Sequence, residues 1–431
     1  MHKRYSAYKE SGIEWIGDVP RQWNIKRLKY LDKTIMGQSP ESDDCNKDGV
    51  GIPFLQGNAD FSGLNPNPSV WCEAPNKLAI KDDILLSVRA PVGAVNIADQ
   101  AYGIGRGLCA IRPKQSQKKY SYYRALCLSG ELNRIATGST YTAISVDEVN
   151  NVAIPDPAFD EQESLSNFLD LKTAQIDDLI TKKERMIELL KEERTAIINQ
   201  EVTKGLNPKA EMKDSGVEWF GKIPKHWKVK KLKYLVKGNL EYGANEVAEL
   251  EDLELPRYIR ITDFDENGDL RQDTFRSLTA EQAKDYFLCE GDVLFARSGA
   301  TVGKTFQFKD YAGKACFAGY LIKACPNEDL LLSDFLYYFT RSNAYENWKN
   351  SIFNQATIQN IGADKYAILL LSLPSIREQK EIVNLIKSKT TQIDTQVKRE
   401  QKSIELLKEF RTSFISEVVT GKIDVRSEVN A

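Results

Sequence analysis

The sequence contains only two histidines, His2 and His226, and its seven cysteines include no CxxC pair. A His-rich metal site is therefore excluded, and an odd set of cysteines without such spacing indicates reduced thiols. No apolar run approaches the roughly 18 residues of a membrane span. The polar N-terminal segment MHKRYSAYKE lacks the apolar region of a secretion signal. We expect a cytoplasmic protein.

Catalytic motifs are missing as well. The segment GATVGKT, Gly299 to Thr305, resembles a phosphate-binding P-loop, but Ser298 stands where the first glycine is needed. We predict a tight strand–turn–strand there, and an NTPase that uses Gly303, Lys304 and Thr305 is the alternative. The sequence shows no NPP or DPP motif of an amino-methyltransferase, no His-paired nucleophile and no acidic metal cluster. We predict that this chain is not an enzyme and binds no cofactor itself.

What the sequence does contain is a duplication. The segments SGIEWIGDVPRQWNIKRLKYL (11–31) and SGVEWFGKIPKHWKVKKLKYL (215–235) agree at 12 of 21 positions, at an offset of 204. A second pair, 161–198 and 378–415, shares 17 of 38 positions at an offset of 217. The stretches between them differ far more. Two repeats of this length indicate duplicated domains rather than a solenoid, with two different recognition surfaces in a fixed geometry.

The second repeated block has the pattern of a long helix. From about Asp160 to Thr203 there is no Pro or Gly, and apolar residues follow three- and four-residue steps, which is coiled-coil periodicity. The seam residues are Ile176, Ile180, Ile187, Leu190 and Ile197 in the first half, and Ile393, Val397, Ile404, Leu407 and Phe414 in the second. We predict two helices of about 40 residues, ending near Gly205 and Gly421, that pack antiparallel. The alternative is that each helix covers only its own domain.

The inserts 32–153 and 236–372 have β-type patterns separated by turn residues. IPFLQGN, DDILLSV and NVAIP in the first insert correspond to RYIRITDF, GDVLFAR and YAILLLSLP in the second. A short helix is expected around Tyr120–Asn133 and around Asp334–Asn347. The predicted fold class is α+β: two mixed α/β domains joined by two long antiparallel coiled-coil helices with pseudo-two-fold symmetry.

This pattern closely resembles the specificity subunit of type I restriction–modification systems, over nearly the whole chain. The most specific motifs are SGIEWIGDVPRQW and SGVEWFGKIPKHW, the strands in DDILLSVRAPVG and GDVLFARSGATVG, and the proline-to-EQ helix entries. Asp82 replaces the glycine of the family's GD pair. The resemblance implies target-recognition domains at 1–153 and 209–372, each followed by a conserved long helix, at 154–208 and 373–431.

The resemblance also implies a function in DNA methylation and phage defence. This chain would recognise a bipartite double-stranded DNA target without catalysing a reaction. Two modification subunits, docked on the conserved helices, would carry S-adenosylmethionine and methylate adenine, and restriction subunits would supply ATP- and Mg-dependent translocation and cleavage. The alternatives are a specificity subunit of a methyltransferase-only system and a coiled-coil scaffold that binds no DNA. The net charge of −2 is unusual for a DNA-binding protein.

Direct recognition of bases needs Arg, Lys, Asn, Gln, Ser or Thr on rigidly held loops. Three loop pairs carry such residues: LQGNAD and IRITDF, the turns after the DDILLSV and GDVLFA strands, and the polar loops GSTYTAIS and NQATIQN. The candidate residues are Gln56, Asn58, Arg89, Thr140, Tyr141 and Thr142 in the first half, and Arg260, Thr262, Arg297, Gln355, Thr357 and Gln359 in the second. Phosphate contacts are expected from the basic clusters around 26–33 and 228–237.

Overall fold

The computed structural model describes residues 3–41, 44–136, 143–265, 268–299, 301–353 and 360–426. The chain forms two compact units. The first unit comprises Met1–Glu184 together with Lys402–Ala431, and the second comprises Arg185–Gln401. The second unit is a single chain segment, whereas the first combines two distant segments.

The helices in the described ranges include two that are far longer than the rest. The α-helices are α1 (Lys118–Ala136), α2 (Val146–Asn151), α3 (Phe159–Lys204), α4 (Ala280–Ala283), α5 (Ser333–Phe339), α6 (Asn343–Phe353), α7 (Ala363–Ala367) and α8 (Ile376–Val419). Helices α3 and α8, with 46 and 44 residues, confirm the two predicted long helices. Helix α1 confirms the expected helix of the first insert.

The helical stretch expected around Asp334–Asn347 is present, but the chain forms two helices there, α5 and α6, rather than one. The hydroxyl of Ser342 accepts a hydrogen bond from the backbone N–H of Tyr345 at 3.4 Å. A serine that bonds the first turn in this way caps a new helix. The same hydroxyl donates to the carbonyl of Phe339 at 2.7 Å, which ties the end of α5 to the start of α6.

Both long helices end at a glycine that lies against a buried tryptophan. Gly205 and Gly421 have φ angles of +74° and +73°, the left-handed conformation that ends a helix. A Cβ on Gly205 would lie 3.0 Å from the ring of Trp227, and one on Gly421 would lie 3.0 Å from the ring of Trp23. Both tryptophans are fully buried. Trp23 and Trp227 are the second tryptophans of the two repeated segments. Each therefore packs against the C-terminal end of a long helix in its unit.

The long helices pair within each unit. In the first unit Arg411 of α8 binds Asp177 of α3 through two hydrogen bonds of 2.8 and 3.1 Å, and Lys408 lies 3.9 Å from Glu184. The partner number falls as the helix number rises, so the two helices run antiparallel, as predicted. In the second unit Arg194 binds Asp394 at 3.1 Å.

These two arginine–aspartate pairs occupy equivalent positions of the repeat, because 394 follows 177 and 411 follows 194 by the same 217 residues. The predicted seam positions are buried or half-buried. The buried ones are Ile180, Ile187, Leu190, Ile393, Ile404 and Phe414, and the half-buried ones are Ile176, Ile197, Val397 and Leu407.

The strands of the first unit form two main sheets. They are β1 (Tyr8–Glu10), β2 (Asp18–Pro20), β3 (Asn24–Arg27), β4 (Asp32–Met36), β5 (Cys45–Asn46), β6 (Ile52–Leu55), β7 (Phe61–Ser62), β8 (Asn65–Pro66), β9 (Val70–Cys72), β10 (Leu78–Ala79), β11 (Ile84–Ser87), β12 (Val95–Ile97), β13 (Tyr102–Ile104), β14 (Leu108–Pro113) and β15 (Ala153–Asp156). One sheet is antiparallel in the order β12-β11-β14-β4, and the other has the order β10-β13-β6-β9-β5. Within the second sheet, β13 and β6 are parallel.

The second unit repeats this plan with fewer strands in its described part. They are β16 (Met212–Asp214), β17 (Lys222–Pro224), β18 (Lys228–Lys231), β19 (Glu241–Tyr242), β20 (Arg257–Ile259), β21 (Val293–Ala296), β22 (Thr305–Gln307), β23 (Ala315–Phe317), β24 (Leu321–Ala324) and β25 (Leu370–Leu373). The antiparallel sheet has the order β19-β24-β21-β22, and β20 pairs parallel with β23. All six predicted strands are present, and the two inserts share a fold.

The segment that resembles a P-loop is a β-hairpin. Strands β21 and β22 pair antiparallel on either side of it, and Gly303 lies in the turn with a φ of +81°. A phosphate-binding loop instead connects a strand to a helix. The strand–turn–strand prediction is therefore confirmed.

Asp82 adopts a conformation that normally favours glycine. Its φ is +70°, and the equivalent Gly291 in the second unit has a φ of +92°. An aspartate is strained in the left-handed region, whereas a glycine is not. Its carboxylate binds the ammonium of Lys118 at 2.6 Å. The turn is therefore retained although Asp82 replaces the glycine that the family has at this position.

The chain ends meet in the first unit. The backbone N–H of Asp424 donates to the carbonyl of Lys3 at 2.8 Å, and the ammonium of Lys422 donates to the carbonyl of Asp18. Buried Val425 lies in the same hydrophobic cluster as Trp23. The residues that follow α8 therefore complete the core around the first repeated motif.

Candidate nucleic-acid interface

In the first unit, several loops converge beyond the ends of the parallel strands β6 and β13. The N–H of Gly105 donates to the carbonyl of Leu55 at 2.8 Å, and the N–H of Gly107 donates to Gln56 at 3.1 Å. The N–H of Val88 in turn donates to Gly107 at 3.0 Å. We call residues 37–39, 56–58, 88–89, 105–107 and 143–146 the first loop cluster. Backbone hydrogen bonds hold it in a defined shape.

The second unit has the same arrangement beyond β20 and β23. The N–H of Ala318 donates to the carbonyl of Ile259 at 2.9 Å, and the N–H of Arg297 donates to Tyr320 at 3.0 Å. We call residues 243–246, 260–262, 297–298, 318–320 and 360–361 the second loop cluster. Position 56 therefore corresponds to 260, and position 58 to 262. The tip 105–107 corresponds to 318–320.

Each cluster depends on one glycine at a point where two backbones approach closely. A Cβ on Gly37 would lie 2.1 Å from the carbonyl oxygen of Gly105, and one on Gly243 would lie 2.3 Å from that of Phe317. Real Cβ atoms do not approach backbone atoms this closely. The two glycines allow the chain leaving β4 or β19 to cross the tip of the parallel pair.

The predicted Gln56 and Asn58 lie in the first loop cluster. Gln56 is exposed, and its amide donates to the hydroxyl of Ser39 at 2.9 Å. Asn58 is half-buried at the start of a short 3-10 helix, Asn58–Asp60. Both side chains are thus placed on loops of defined shape, as direct recognition requires.

The predicted Arg260 is tied to its own loop. Its guanidinium binds the carboxylate of Asp263 at 2.8 Å and donates to the carbonyl of Thr274 at 2.9 Å. Asp263 is fully buried, so this ion pair stabilises the turn after β20. Thr262 beside it is exposed and points its hydroxyl at Asp263 over 3.4 Å.

The predicted Arg89 and Arg297 do not occupy equivalent positions, because in the structure Arg89 corresponds to Ser298. Arg89 bridges Ala143, whereas Ser298 rather than Arg297 bridges Asn360. The backbone of Arg297 corresponds to that of Val88, since their carbonyls accept hydrogen bonds from the N–H groups of Ile361 and Ile144, at 2.8 and 2.9 Å. The guanidinium of Arg297 lies 4.8 Å from the ring centre of Tyr242.

The predicted residues of the two polar loops are not among the described ones. Thr140, Tyr141 and Thr142 of the first half lie outside the described residues. The same holds for Gln355, Thr357 and Gln359 of the second half.

Sequence reasoning missed the residues at the loop tips. Arg106 is exposed between Gly105 and Gly107, and it lines a groove of about 280 Å³ with Arg89. In the second cluster Tyr320 occupies the tip and is 64% exposed. The signal for Arg106 was its place within Gly-x-Gly-x-Gly, where the glycines leave room for Gln56.

The repeated basic segments expose the same pair of side chains in both units. Lys29 lies 5.4 Å from the ring centre of Tyr30, and Lys233 lies 5.0 Å from that of Tyr234. Each tyrosine is 62% exposed. A large exposed aromatic ring at the same place in both units is typical of an interaction surface.

Residues 20–189 and 224–406 match the family described as type I restriction modification DNA specificity domain. Together these segments cover well over half of the chain. The chain belongs to this family. This confirms the predicted specificity subunit and its DNA-recognition role, and two matched segments agree with the duplication in the sequence.

Curated relatives carry the same description. The specificity subunit is 36% identical over 200 residues to the type I restriction enzyme MjaX specificity subunit of Methanocaldococcus jannaschii, a match that spans 45% of each chain and so less than half of that relative. It is 22% identical to the MjaVIII specificity subunit of the same organism, over 95% of both chains.

Two solved structures share the fold of this specificity subunit. A chain from a study of complex assembly and conformational transition of the type I R-M system has a TM-score of 0.73 at 15% identity, and covers 94% of this chain and 99% of its own. The HsdS subunit from Thermoanaerobacter tengcongensis has a TM-score of 0.54 at 16% identity, over 94% and 98% of the two chains. At such identities the comparison shows the fold alone.

The described ranges contain neither a candidate membrane helix nor a candidate metal site. No helix there combines the length and the apolar character that crossing a membrane requires. No group of three or more His, Cys, Asp or Glu side chains in those ranges is placed to hold a metal ion.

Proposed function

We propose that this specificity subunit recognises a bipartite DNA target without catalysing a reaction itself, and that each loop cluster recognises one half of the target. This proposal is supported by one observation: the two loop clusters share a backbone arrangement and expose different side chains. The tip of the first cluster is Gly105-Arg106-Gly107, and that of the second is Ala318-Gly319-Tyr320. Loops that share a frame and differ in side chains suit two different base sequences.

The proposed partners are those that the resemblance to the family implies. Two modification subunits bind this chain and carry S-adenosylmethionine, and restriction subunits supply ATP- and Mg-dependent translocation and cleavage. The alternative is an assembly with modification subunits alone. All seven cysteines are free thiols, which supports a site of action in the cytoplasm.

Beside the conserved helices, the repeated tyrosines form part of the surface on which two identical modification subunits dock. Identical partners need identical contacts, and Lys29–Tyr30 and Lys233–Tyr234 supply them. We expect Tyr30→Ala or Tyr234→Ala alone to lower the affinity for one of the two modification subunits by about 30-fold. The double variant should bind neither. Mass photometry of the assembled complex measures the stoichiometry directly.

Leu253→Ala serves as the matched control, because Leu253 is exposed in the second unit but is not part of the repeat. This variant should keep two modification subunits. Retention of both partners by the double tyrosine variant would show that docking uses another surface.

Methylome sequencing tests the proposed function as a whole. A host that expresses the modification subunit with this chain should show a bipartite adenine-methylated motif, and a host without this chain should not. If the complex assembles but no motif appears, the scaffold alternative replaces DNA recognition. Nucleotide binding that is lost in Lys304→Ala would favour the NTPase alternative, which the hairpin at Gly303 argues against.

A further inference from the structure

We propose that the first loop cluster recognises guanine through Arg106 and Arg89, and that the half-site of the second cluster is recognised without an arginine at these two positions. This inference rests on the proposed function and assigns a base class to one half-site. Four observations carry it: the rigid tip, the unpaired guanidinium groups, the chemistry of the base edge, and the difference between the two units.

Arg106 is presented on a backbone that cannot easily move. Its neighbours Gly105 and Gly107 donate to the carbonyls of Leu55 and Gln56, and the N–H of Leu108 donates back to Gly105 at 3.0 Å. A Cβ on Gly105 or Gly107 would lie 2.5 or 2.6 Å from atoms of Gln56. The backbone of the tip therefore packs directly against the loop at Gln56, and the long side chain of Arg106 is exposed. Base recognition needs this kind of fixed presentation.

Arg89 faces the same groove as Arg106. The groove is also lined by Gly37, Val88 and residues 143–146. Within the part of the chain that the structure describes, neither guanidinium has a hydrogen-bond or ion-pair partner. Other arginines of this unit differ: Arg112 and Arg124 each bind a buried aspartate. Two unpaired guanidinium groups in one groove leave their donors available to a ligand with acceptors.

Guanine is the base whose edge fits an arginine. A guanidinium carries only donors, and guanine places two acceptors, O6 and N7, side by side in the major groove. Adenine and cytosine present an amino donor on the same edge, and thymine presents one acceptor beside a methyl group. Two donors of one guanidinium can therefore bond guanine and cannot make the same pair of bonds to any other base.

The comparison of the two units separates base contacts from phosphate contacts. Phosphate is the same in both half-sites, so a phosphate contact should be basic in both units. The clusters around 26–33 and 228–237 have this property, and Lys33 corresponds to Lys237. Arg106 and Arg89 do not have it, because their counterparts are Gly319 and Ser298. A charge that one unit carries and the other lacks suits the part of the target that differs.

The test uses the chain assembled with its modification subunits, and compares wild type with Arg106→Ala, Arg106→Lys and Arg21→Ala. Arg21 is exposed in the first unit outside the loop cluster, so it matches the lost charge. The wild-type methylome should contain a guanine in one half-site, preferred by about tenfold or more over the other bases. In Arg106→Ala this preference should disappear while the other half-site stays unchanged. Arg106→Lys should restore it only in part, and Arg21→Ala should leave the motif intact.

A chemical substitution in the DNA identifies the contact. Replacing that guanine by 7-deazaguanine removes the N7 acceptor, and it should weaken binding by wild type but not by Arg106→Ala. If Arg106→Ala weakens binding equally on all sequences and lowers the salt slope by about one, Arg106 contacts phosphate and the inference is overturned. A wild-type motif that has no guanine on either strand of either half-site also overturns it. Absence of any bipartite motif would instead overturn the proposed function.

Discussion

Replacing Arg124 by leucine is expected to lower the free energy of unfolding by about 3–5 kcal/mol, because it leaves a buried charge without its partner. The side chains of Arg124 in α1 and Asp32 in β4 form an ion pair that is 1% and 0% exposed. Arg124 also donates to the hydroxyls of Ser116 and Ser121, at 3.3 and 3.2 Å. These bonds attach α1 to the sheet that supports the first loop cluster.

Urea unfolding of the purified chain measures the change, with the slope of the transition checked for constancy. Arg134→Leu in the same helix is the control, since the side chain of Arg134 is 66% exposed and its loss should matter little. The double variant Arg124→Met with Asp32→Leu should be more stable than Arg124→Leu, because it removes both charges. A single variant as stable as wild type would mean that water reaches Asp32.

Gly243→Ala is expected to abolish methylation of the bipartite target and to lower stability by about 1–3 kcal/mol. The new Cβ would lie 2.3 Å and 2.4 Å from the carbonyl oxygens of Phe317 and Ala318. These are backbone atoms next to β23, so they cannot move away without distorting its parallel pairing with β20. Gly37→Ala should act in the same way on the first loop cluster.

Gly57→Ala is the matched control for stability. Gly57 lies in the first loop cluster with a φ of −165°, which any residue adopts, and a Cβ there would have no atom within 4 Å. Thermal unfolding and methylation of the same target give the two readouts. Full methylation by Gly243→Ala, with unchanged unfolding, would show that the crossing of β19 over the tip is not needed for recognition.

Much of the frame could be predicted from the sequence, because it depends on local patterns and on repetition. The bounds of α3 and α8 follow from an uninterrupted apolar period between proline and glycine. The hairpin at Gly303 follows from a single missing glycine. The break between α5 and α6 was missed, because a serine within an otherwise helical pattern caps a new helix only when its hydroxyl finds the next turn.

The site was harder to predict, since its residues are aligned by backbone hydrogen bonds between distant strands. Arg89 and Arg297 were paired as the two arginines of similar turns, although the offset between Asp82 and Gly291 aligns Arg89 with Ser298, as the bridges to Ala143 and Asn360 confirm. Arg260 looked available for a base, but its partner Asp263 is buried three residues later. Arg106 was overlooked because nothing local shows that its loop joins that of Gln56.

In the first unit, residues near the two ends of the sequence lie in contact. These contacts determine how the end of α8 is joined to the first repeated motif. In the second unit, Gly205 is joined covalently to Met212 by a short connection. In the first unit the equivalent junction, from Gly421 to Tyr8, is bridged by hydrogen bonds of Asp424 and Lys422. Hydrogen bonds therefore hold together at the first junction what the peptide chain itself joins at the second. Loss of those hydrogen bonds would loosen the end of α8 from the first repeated motif, whereas the same separation in the second unit would require cutting the chain.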